Sequence, residues 1–191
     1  MILASQSPRR KELLSLITED FRIIPAKGEE LLPEGISPKD AVILLARQKA
    51  EEIYSEYKNE VILAADTVVA INGQILGKPA DEEDAADMLR MLSGTTHSVF
   101  TGVCIITENG GLYTFADETT VQFHPLSEED IRNYVASGEP MDKAGAYGIQ
   151  DRGALLVKGI NGDYYNVMGL PVGRIYNEFK PMWDKLRNNK T

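Results

Sequence analysis

The chain opens with Met1-Ile-Leu-Ala-Ser-Gln-Ser-Pro-Arg-Arg-Lys-Glu-Leu-Leu14, and this segment predicts a strand-to-helix turn. Residues 1–4 form an apolar strand pattern, and Pro8 suits a first helical turn because the N–H it lacks would be unpaired there. Such a turn exposes backbone N–H groups at the positive end of the helix dipole. It also carries the polar side chains of Ser5, Ser7, Arg9 and Arg10. The segment predicts a phosphate-binding turn, and a capped helix with a solvated basic first turn fits it equally well.

Composition predicts a soluble globular protein with one domain over residues 1–191. Hydrophobic residues make up 43% of the 191 residues and charged residues 26%, which is enough for a core and normal for a soluble chain. No apolar run has the length of a membrane span, and the basic helix after the first strand does not resemble a signal peptide. The single cysteine, Cys104, lies in an apolar run and is expected to be buried. We therefore expect a cytoplasmic protein without a membrane partner.

The charge balance restricts the ligands. A net charge of −9 argues against a general affinity for nucleic acid, which requires a basic face. A small anion in a locally basic pocket remains compatible with it, as does a hard divalent cation held by carboxylates. The two histidines, His97 and His124, are far apart and argue against zinc or a Cys–His pair. We expect His97 to form a local hydrogen bond and His124 to lie on the surface.

Hydrophobic patterning predicts an α/β fold in which hairpins interrupt the alternation of strands and helices. The predicted strands cover residues 1–4, 21–26, 61–71, 99–107, 112–123 and 155–160. The predicted helices cover residues 8–16, 37–57, 81–92, 127–136 and 171–186, before a polar tail, 187–191, that is expected to fray. Asn72-Gly73, Asn109-Gly110-Gly111 and Asn161-Gly162 are turn signals. We predict an elongated mixed sheet flanked by helices, with two lobes around a cleft.

Two charged side chains occupy apolar patterns. Asp66 lies inside the apolar strand, where an acid is costly to bury unless it binds a cation, forms a pair or changes protonation. It is a candidate metal ligand or general base; the alternative is an acid satisfied by backbone N–H groups at a sheet edge. Lys49 shares one helix face with Val42, Leu45, Ala46 and Ile53. It extends either into water or into a pocket that contains Asp66 or a phosphate.

Three loops carry further candidates. In Gly77-Lys78-Pro79, glycine allows close backbone approach and proline fixes the exit, which places Lys78 well for binding. In Asp142-Lys-Ala-Gly-Ala-Tyr-Gly-Ile-Gln150, the Gln150 amide has the donor and acceptor needed to bind a base edge, although an ordinary loop with Tyr147 in the core also fits. Glu29 and Glu30 either join Asp66 around Mg²⁺ or Mn²⁺ or are simply solvated. Residues 166–171 are expected to form a strand-to-helix turn, and a wall of a ligand site is the alternative.

Ordered motifs along nearly the whole chain resemble the Maf family of nucleoside triphosphate pyrophosphatases. They are Ser5-Gln-Ser-Pro-Arg-Arg10, Ala46-Arg-Gln-Lys-Ala50, Leu63-Ala-Ala-Asp-Thr-Val-Val69, Gly77-Lys-Pro79, Leu92-Ser-Gly-Thr-Thr-His97, Thr101-Gly102, Asp142-Lys-Ala-Gly-Ala-Tyr-Gly-Ile-Gln150 and Val167-Met-Gly-Leu-Pro171. The resemblance implies a fold like that of inosine triphosphate pyrophosphatases and hydrolysis of a nucleoside triphosphate to monophosphate and pyrophosphate with Mg²⁺ or Mn²⁺. It also implies a homodimer. The segment ending at Gln150 is similar to the branch that acts on dTTP and UTP.

The resemblance also implies residue roles. Asp66 matches the catalytic acid that activates water and binds metal, and Glu30 matches a second metal-holding carboxylate. Arg9, Thr67 and Gln150 match positions that tune base selectivity. The phosphate-facing positions are Ser7, Arg10, Lys49 and Lys78. Many family members have an Asp-Glu pair where this chain has Glu29-Glu30, so contact between Glu29 and the metal is not implied.

Two alternatives remain open from the sequence. The family is linked to inhibition of septum formation, so the protein is alternatively a nucleotide-binding regulator of cell division with little turnover. The same chemistry on a modified nucleotide such as 7-methyl-GTP is the other alternative.

Overall fold

Seven strands form one mixed sheet in the computed structural model, which describes the backbone of residues 1–188 and the side chains of residues 1–186. The strands are β1 (Ile2–Leu3), β2 (Arg22–Ile23), β3 (Ile62–Ile71), β4 (Gln74–Leu76), β5 (Thr96–Ile106), β6 (Leu112–Phe123) and β7 (Val157–Asn161). Their order is β2-β1-β3-β5-β6-β7, and β4 pairs with β3. The pairs β1–β2 and β1–β3 are parallel and the others antiparallel. The prediction of a mixed sheet is therefore confirmed.

Seven α-helices pack on this sheet. They are α1 (Pro8–Ser15), α2 (Pro38–Glu56), α3 (Glu82–Leu92), α4 (Glu128–Val135), α5 (Tyr164–Met168), α6 (Val172–Glu178) and α7 (Lys180–Asn188). Capping side chains at Ser7, Ser37, Asp81 and Ser127 begin the first four helices. Among the helices of residues 1–188, none combines the length and apolar composition needed to cross a membrane. The side chains of the tail predicted to fray, 187–191, lie outside the described part of the chain.

Two predictions about the C-terminal region are wrong. The predicted helix over 171–186 is two helices that meet at Phe179. The break places Pro181 in the first turn of α7, where its missing N–H costs no helical hydrogen bond. A turn was expected over residues 166–171, but its first three positions belong to a short helix over 164–168. Asp163 caps the start of this helix and Gly169 ends it with a φ of 109°.

The apolar core consists of three clusters. Val69, Val99, Leu89 and Phe123 belong to one, which packs against α3 and α4. Leu63, Val103, Leu14 and Trp183 belong to another, which packs against α1, α6 and α7. The third includes Ala46, Ile53, Ile62 and Cys104 and lies between α2 and the opposite face of the sheet. Cys104 is buried, as predicted.

A polar row separates the first two clusters. Side chains alternate between the faces of a strand, so Leu63, Thr67 and Val69 share one face of β3. Thr67 pairs with Thr101 of β5, whereas Val69 pairs with Val99 and Ala65 with Val103. The two threonines thus lie between the two apolar clusters. The apolar core on this face is therefore divided in two, and a cleft between two lobes stays a prediction.

Candidate active site

One edge of β3 is interrupted at the level of Asp66. β5 covers the other edge along its length, from Ile62 to Ala70. On the interrupted edge, β1 pairs with residues 62 and 63 and β4 pairs with residues 69–71. Among the described strands, none pairs with residues 65–68 there. The chain after β1 and the Gly77-Lys78-Pro79 loop after β4 therefore approach Asp66 and Thr67 from opposite ends of this gap.

Asp66, Lys49 and Glu30 form a charged cluster on the face of β3 that α2 covers. The Lys49 ammonium lies 2.5 Å from Asp66 Oδ1 and 2.8 Å from Glu30 Oε1. The side chains of Lys49 and Asp66 are only 19% and 13% exposed. Of the two alternatives for Lys49, contact with Asp66 is therefore the one observed. Asp66 contacts the Lys49 ammonium, so the alternative in which backbone N–H groups at a sheet edge satisfy this acid is not the one observed.

Gly102 explains how Lys49 reaches Asp66. Gly102 is paired with Asp66 across the β3–β5 ladder. A Cβ added to Gly102 would lie 2.3 Å from the backbone carbonyl atoms of Val42 on α2. Only a glycine permits α2 to lie this close to the sheet. Lys49 follows Val42 by about two helical turns and so projects from the same helix face toward the carboxylate.

Arg10 links the start of the chain to the polar row on the opposite face. Its Nε donates to the Gly169 carbonyl at 2.8 Å, and its guanidinium also donates to Ser5 Oγ at 3.2 Å and Thr67 Oγ1 at 3.0 Å. Burial lowers the pKa of Arg10 from its ordinary value, and the nearby Asp66 carboxylate opposes this shift. The guanidinium remains a fixed positive charge at the gap.

Thr101 and Asn166 support Thr67, a role that was not predicted for either residue from the sequence. Thr101 shares a 2.9 Å hydroxyl contact with Thr67 and donates to the Asn166 carbonyl at 2.8 Å. The fully buried Asn166 donates from Nδ2 to the Val99 carbonyl and to Thr119 Oγ1, both at 3.0 Å. Thr101-Gly102 and the segment after Asn166 were visible as motifs. Their role depends on strand register, which a single sequence does not reveal.

The two remaining groups at the start of α1 already have partners. Ser7 Oγ accepts the Arg10 N–H at 3.4 Å, so the capped-helix interpretation holds for this hydroxyl. Arg9 Nη1 contacts Asp142 Oδ2 at 3.1 Å. A solvated basic turn is therefore wrong for Arg9 and Arg10, because their charges contact groups from distant parts of the chain.

Lys78 and the segment that contains Gln150 are connected through backbone. Lys78 is exposed and Gln150 is partly buried. The Gly145 N–H donates to the Gly77 carbonyl at 2.9 Å. Gly145 has a φ of 66°, and a Cβ there would lie 2.7 Å from the Val69 side chain. The backbone is therefore tightly packed at Gly145, whereas nothing lies within 4 Å of a Cβ at Gly77.

Tyr147 anchors the same segment in the core. Its hydroxyl lies 2.7 Å from His97 Nε2, and both rings are buried. The prediction of a local hydrogen bond for His97 is wrong, since its partner is 50 residues away. The error arose because adjacent strands and loops, and not sequence neighbours, surround a residue in a sheet. Burial lowers the pKa of His97 to about 4, so the ring is neutral at physiological pH. His124 is exposed, as expected.

Glu30 and Asp66 fit a divalent cation by ligand type. Their carboxylate oxygens meet at one ammonium, so two hard anionic ligands converge where a positive charge already resides. No group of three or more such side chains suited to a metal occurs among the described residues. Substrate phosphates commonly complete the coordination of Mg²⁺ in sites with few protein ligands. Glu29 is exposed. Two shallow cavities of about 380 and 340 Å³ lie elsewhere, and no predicted site residue lines them.

The chain resembles known proteins both in fold and in sequence. A HAM1 protein from Coxiella burnetii has a similar structure, with a TM-score of 0.51 and 16% sequence identity over 94% of this chain and 98% of that one. This likeness supports the predicted inosine triphosphate pyrophosphatase-like fold. The family model described as Maf-like protein matches residues 1–182. The chain belongs to the Maf family.

Curated relatives support this membership over nearly the full length. The chain is 51% identical over 199 aligned residues to the dTTP/UTP pyrophosphatase of Agathobacter rectalis. This alignment covers 95% of this chain and 97% of that protein. It is 53% identical over 180 residues to the protein of the same name from Bacillus velezensis, with 94% and 95% covered.

Proposed function

We propose that this protein hydrolyses nucleoside triphosphates, dTTP and UTP above all, to the nucleoside monophosphate and pyrophosphate. The observation that carries the proposal is the Glu30–Lys49–Asp66 cluster together with the partly buried Arg10 guanidinium. Two acids and Lys49 on one face of β3, and Arg10 on the other, border the gap in this strand, which suits a reaction on an anionic substrate. Relatives with about 50% sequence identity are named dTTP/UTP pyrophosphatases, and these names support dTTP and UTP as the substrates.

Positively charged side chains near the gap would balance the negative charge of the substrate. A triphosphate carries about four negative charges, and charge grows on the pyrophosphate as it leaves. Arg10 and Lys49 are fixed by contacts on opposite faces of β3. Lys78 is exposed at the end of the gap, and Arg9 is available once phosphate replaces Asp142 as its partner. Ser7 offers its hydroxyl at the start of α1.

Asp66 is the proposed general base. Its carboxylate is at the gap, partly buried and held by Lys49, so it can accept a proton from a water molecule in a fixed direction. Asp66 and Glu30 would hold Mg²⁺ or Mn²⁺. Such an ion, when bound with the nucleotide, supplies charge neutralisation and orients the phosphates.

Selectivity for the base is assigned to Arg9, Thr67 and Gln150. Thr67 is fixed by Arg10 and Thr101, whereas Gln150 is at the end of the segment that Tyr147 anchors in the core. An amide with a donor and an acceptor can distinguish bases by their hydrogen-bonding edges.

A panel of nucleotides tests the reaction. The purified protein is incubated with dTTP, UTP, CTP, GTP and 7-methyl-GTP in Mg²⁺ or Mn²⁺, and the products are identified. Monophosphate and pyrophosphate from dTTP and UTP support the proposal. Saturable binding without turnover would favour the regulator of septum formation, and preference for 7-methyl-GTP would favour a modified substrate. In the same panel, Gln150→Ala should change the ranking of bases; equal losses on every nucleotide would refute its selectivity role.

We propose a homodimer in the cytoplasm that binds free nucleotides and no nucleic acid, as the family resemblance and the net charge of −9 imply. Light scattering coupled to size-exclusion chromatography measures the oligomeric state, and a monomeric mass at working concentration would refute the dimer.

A further inference from the structure

Glu30 is carried by a chain segment that has no regular structure. The segment between β2 and α2 contains neither strand nor helix, and the Glu30 side chain is 54% exposed. Its carboxylate nevertheless lies 2.8 Å from the Lys49 ammonium. One exposed ion pair is a weak constraint, because such pairs contribute little after the entropy of ordering both side chains. Other contacts must hold this segment in place.

Glu52 of α2 holds the segment on the N-terminal side of Glu30. Its Oε1 accepts the Lys27 backbone N–H at 2.8 Å and its Oε2 accepts the Gly28 N–H at 2.9 Å. Both oxygens of one carboxylate therefore bind consecutive backbone donors, and hydrogen bonds to a charged acceptor are the stronger kind. A Cβ at Gly28 would lie 2.7 Å from Glu52 Oε2, so glycine makes room for this contact.

Gln48 holds the segment on the C-terminal side. Its Nε2 donates to the Leu31 carbonyl at 2.9 Å. Gln48 and Glu52 are four residues apart and so share one face of α2, beside Lys49. Glu30 thus lies between two backbone anchors that come from the same helix as its lysine partner.

We infer that Glu52 is a positioning residue that places Glu30 at the metal- and nucleotide-binding cluster. This inference rests on the proposed function. Glu52 contacts only the backbone of Lys27 and Gly28 among the segment's groups, so it acts through Glu30 and touches no reacting atom. Its carboxylate, and not merely its size, is required, because an amide in its place presents an N–H₂ group to one of the two backbone donors.

Glu52→Gln is the test variant, and Glu51→Gln is its matched control. Glu51 precedes Glu52 on the same helix but is exposed and pairs with Arg47 at 2.8 Å. The first measurement is amide hydrogen exchange over residues 27–31 in the intact protein. The second is the Mn²⁺ concentration that half-activates hydrolysis, compared with kcat at saturating Mn²⁺. The third is Mn²⁺ binding, followed by electron paramagnetic resonance in the presence of an α,β-imido analogue of UTP.

We expect Glu52→Gln to speed exchange over residues 27–31 and to weaken Mn²⁺ binding and half-activation by about tenfold, as for groups that orient metal ligands. kcat at saturating Mn²⁺ should change less than threefold, and Glu51→Gln should match the parent throughout. Faster exchange with unchanged Mn²⁺ binding, or a fall in kcat alone, would overturn the inference. If the parent turns over no nucleotide, the proposed function fails, and unchanged exchange would then refute the anchor itself.

Discussion

The contact between Lys49 and Asp66 explains how an acid is tolerated inside an apolar strand. The lysine offsets the cost of burying the carboxylate, and Glu30 shares the same ammonium. Because Asn has the same shape as Asp but cannot accept a proton, Asp66→Asn should lower kcat by at least about 100-fold. The protein should stay folded, since the side chain is partly exposed and the volume is conserved. Steady-state kinetics with dTTP and thermal unfolding measure the two effects.

Asp117→Asn is the matched control for that variant. Asp117 is also a partly buried acid on a strand with a basic partner, Arg174, but it lies outside the candidate site. Its variant should keep near-parent kcat. Near-parent activity of Asp66→Asn at saturating metal would show that Asp66 is not the base.

His97 should make the protein less stable in acid. Its pKa is about 4 in the folded state because burial disfavours the charged ring, whereas the unfolded value is about 6.5. The unfolded chain therefore binds more protons between these values, so the free energy of unfolding falls as the pH drops from about 6.5 to 4. The loss amounts to about 3 kcal/mol over this window. Chemical denaturation at several pH values measures it.

The control for this pH dependence is the other histidine. His97→Gln should flatten the dependence between pH 4 and 6.5, at the cost of lower stability at pH 7 because Tyr147 loses its buried partner. The exposed His124 should have no such effect, so His124→Gln should follow the parent curve. Parallel curves for all three proteins would contradict the assignment.

The helices and strands were predictable where local chemistry defines their ends. Ser37-Pro38, Asp81 and Ser127 carry the cap signals of α2, α3 and α4, and all three helices start there. The break at Phe179 was missed because the apolar period continues through it, although Pro181 marks it. The short helix α5 was missed because five residues are too few to show a period. Sequence pattern thus predicts an element well only when it is long or clearly capped.

The charged residues of the candidate site could be predicted from the sequence, but the residues that hold them in place could not. Asp66 and Lys49 were identified because each interrupts an apolar pattern. Thr101, Asn166 and the anchor at Glu52 follow ordinary patterns, and their roles arise only from register and from the approach of a loop to a helix. A sequence reveals a charged residue that is costly to bury, but it does not reveal the spatial neighbours that offset this cost.

The packing of α2 on β5 depends on Gly102. In Gly102→Ala the new methyl group would meet backbone atoms of Val42 at 2.3 Å, which cannot move without shifting the helix. We expect about 3 kcal/mol of destabilisation, and a lower kcat because Lys49 moves away from Asp66. Thermal unfolding and kinetics measure both. Gly159→Ala is the control, since nothing lies within 4 Å of a Cβ there; equal stability of the two variants would refute the argument.

The pair between Arg9 and Asp142 joins the two sides of the polar row. Arg9 lies in the first turn of α1, which packs with the cluster that contains Trp183. Asp142 lies in the segment whose Tyr147 belongs to the cluster that contains Phe123. Asp142 also accepts from the Lys143 ammonium at 2.8 Å. Burial raises the pKa of Asp142, but Lys143 and Arg9 outweigh this, and the net shift is downward. The carboxylate is therefore ionised at neutral pH, and it would compete with a phosphate of the proposed substrate for Arg9.

Asp142→Asn should bind the nucleotide more tightly. The pair is solvent-exposed, with Asp142 57% exposed, so its loss should change the free energy of unfolding by less than about 1 kcal/mol. Removal of the negative charge leaves Arg9 free for the triphosphate, and we expect KM to fall about threefold at low salt, with the difference shrinking at high salt because exposed charges are screened. Asp87→Asn breaks a similarly exposed pair with Arg90 away from the site and should leave KM unchanged. A raised KM in Asp142→Asn would mean that the pair preorganises Arg9 for the substrate and does not compete with it.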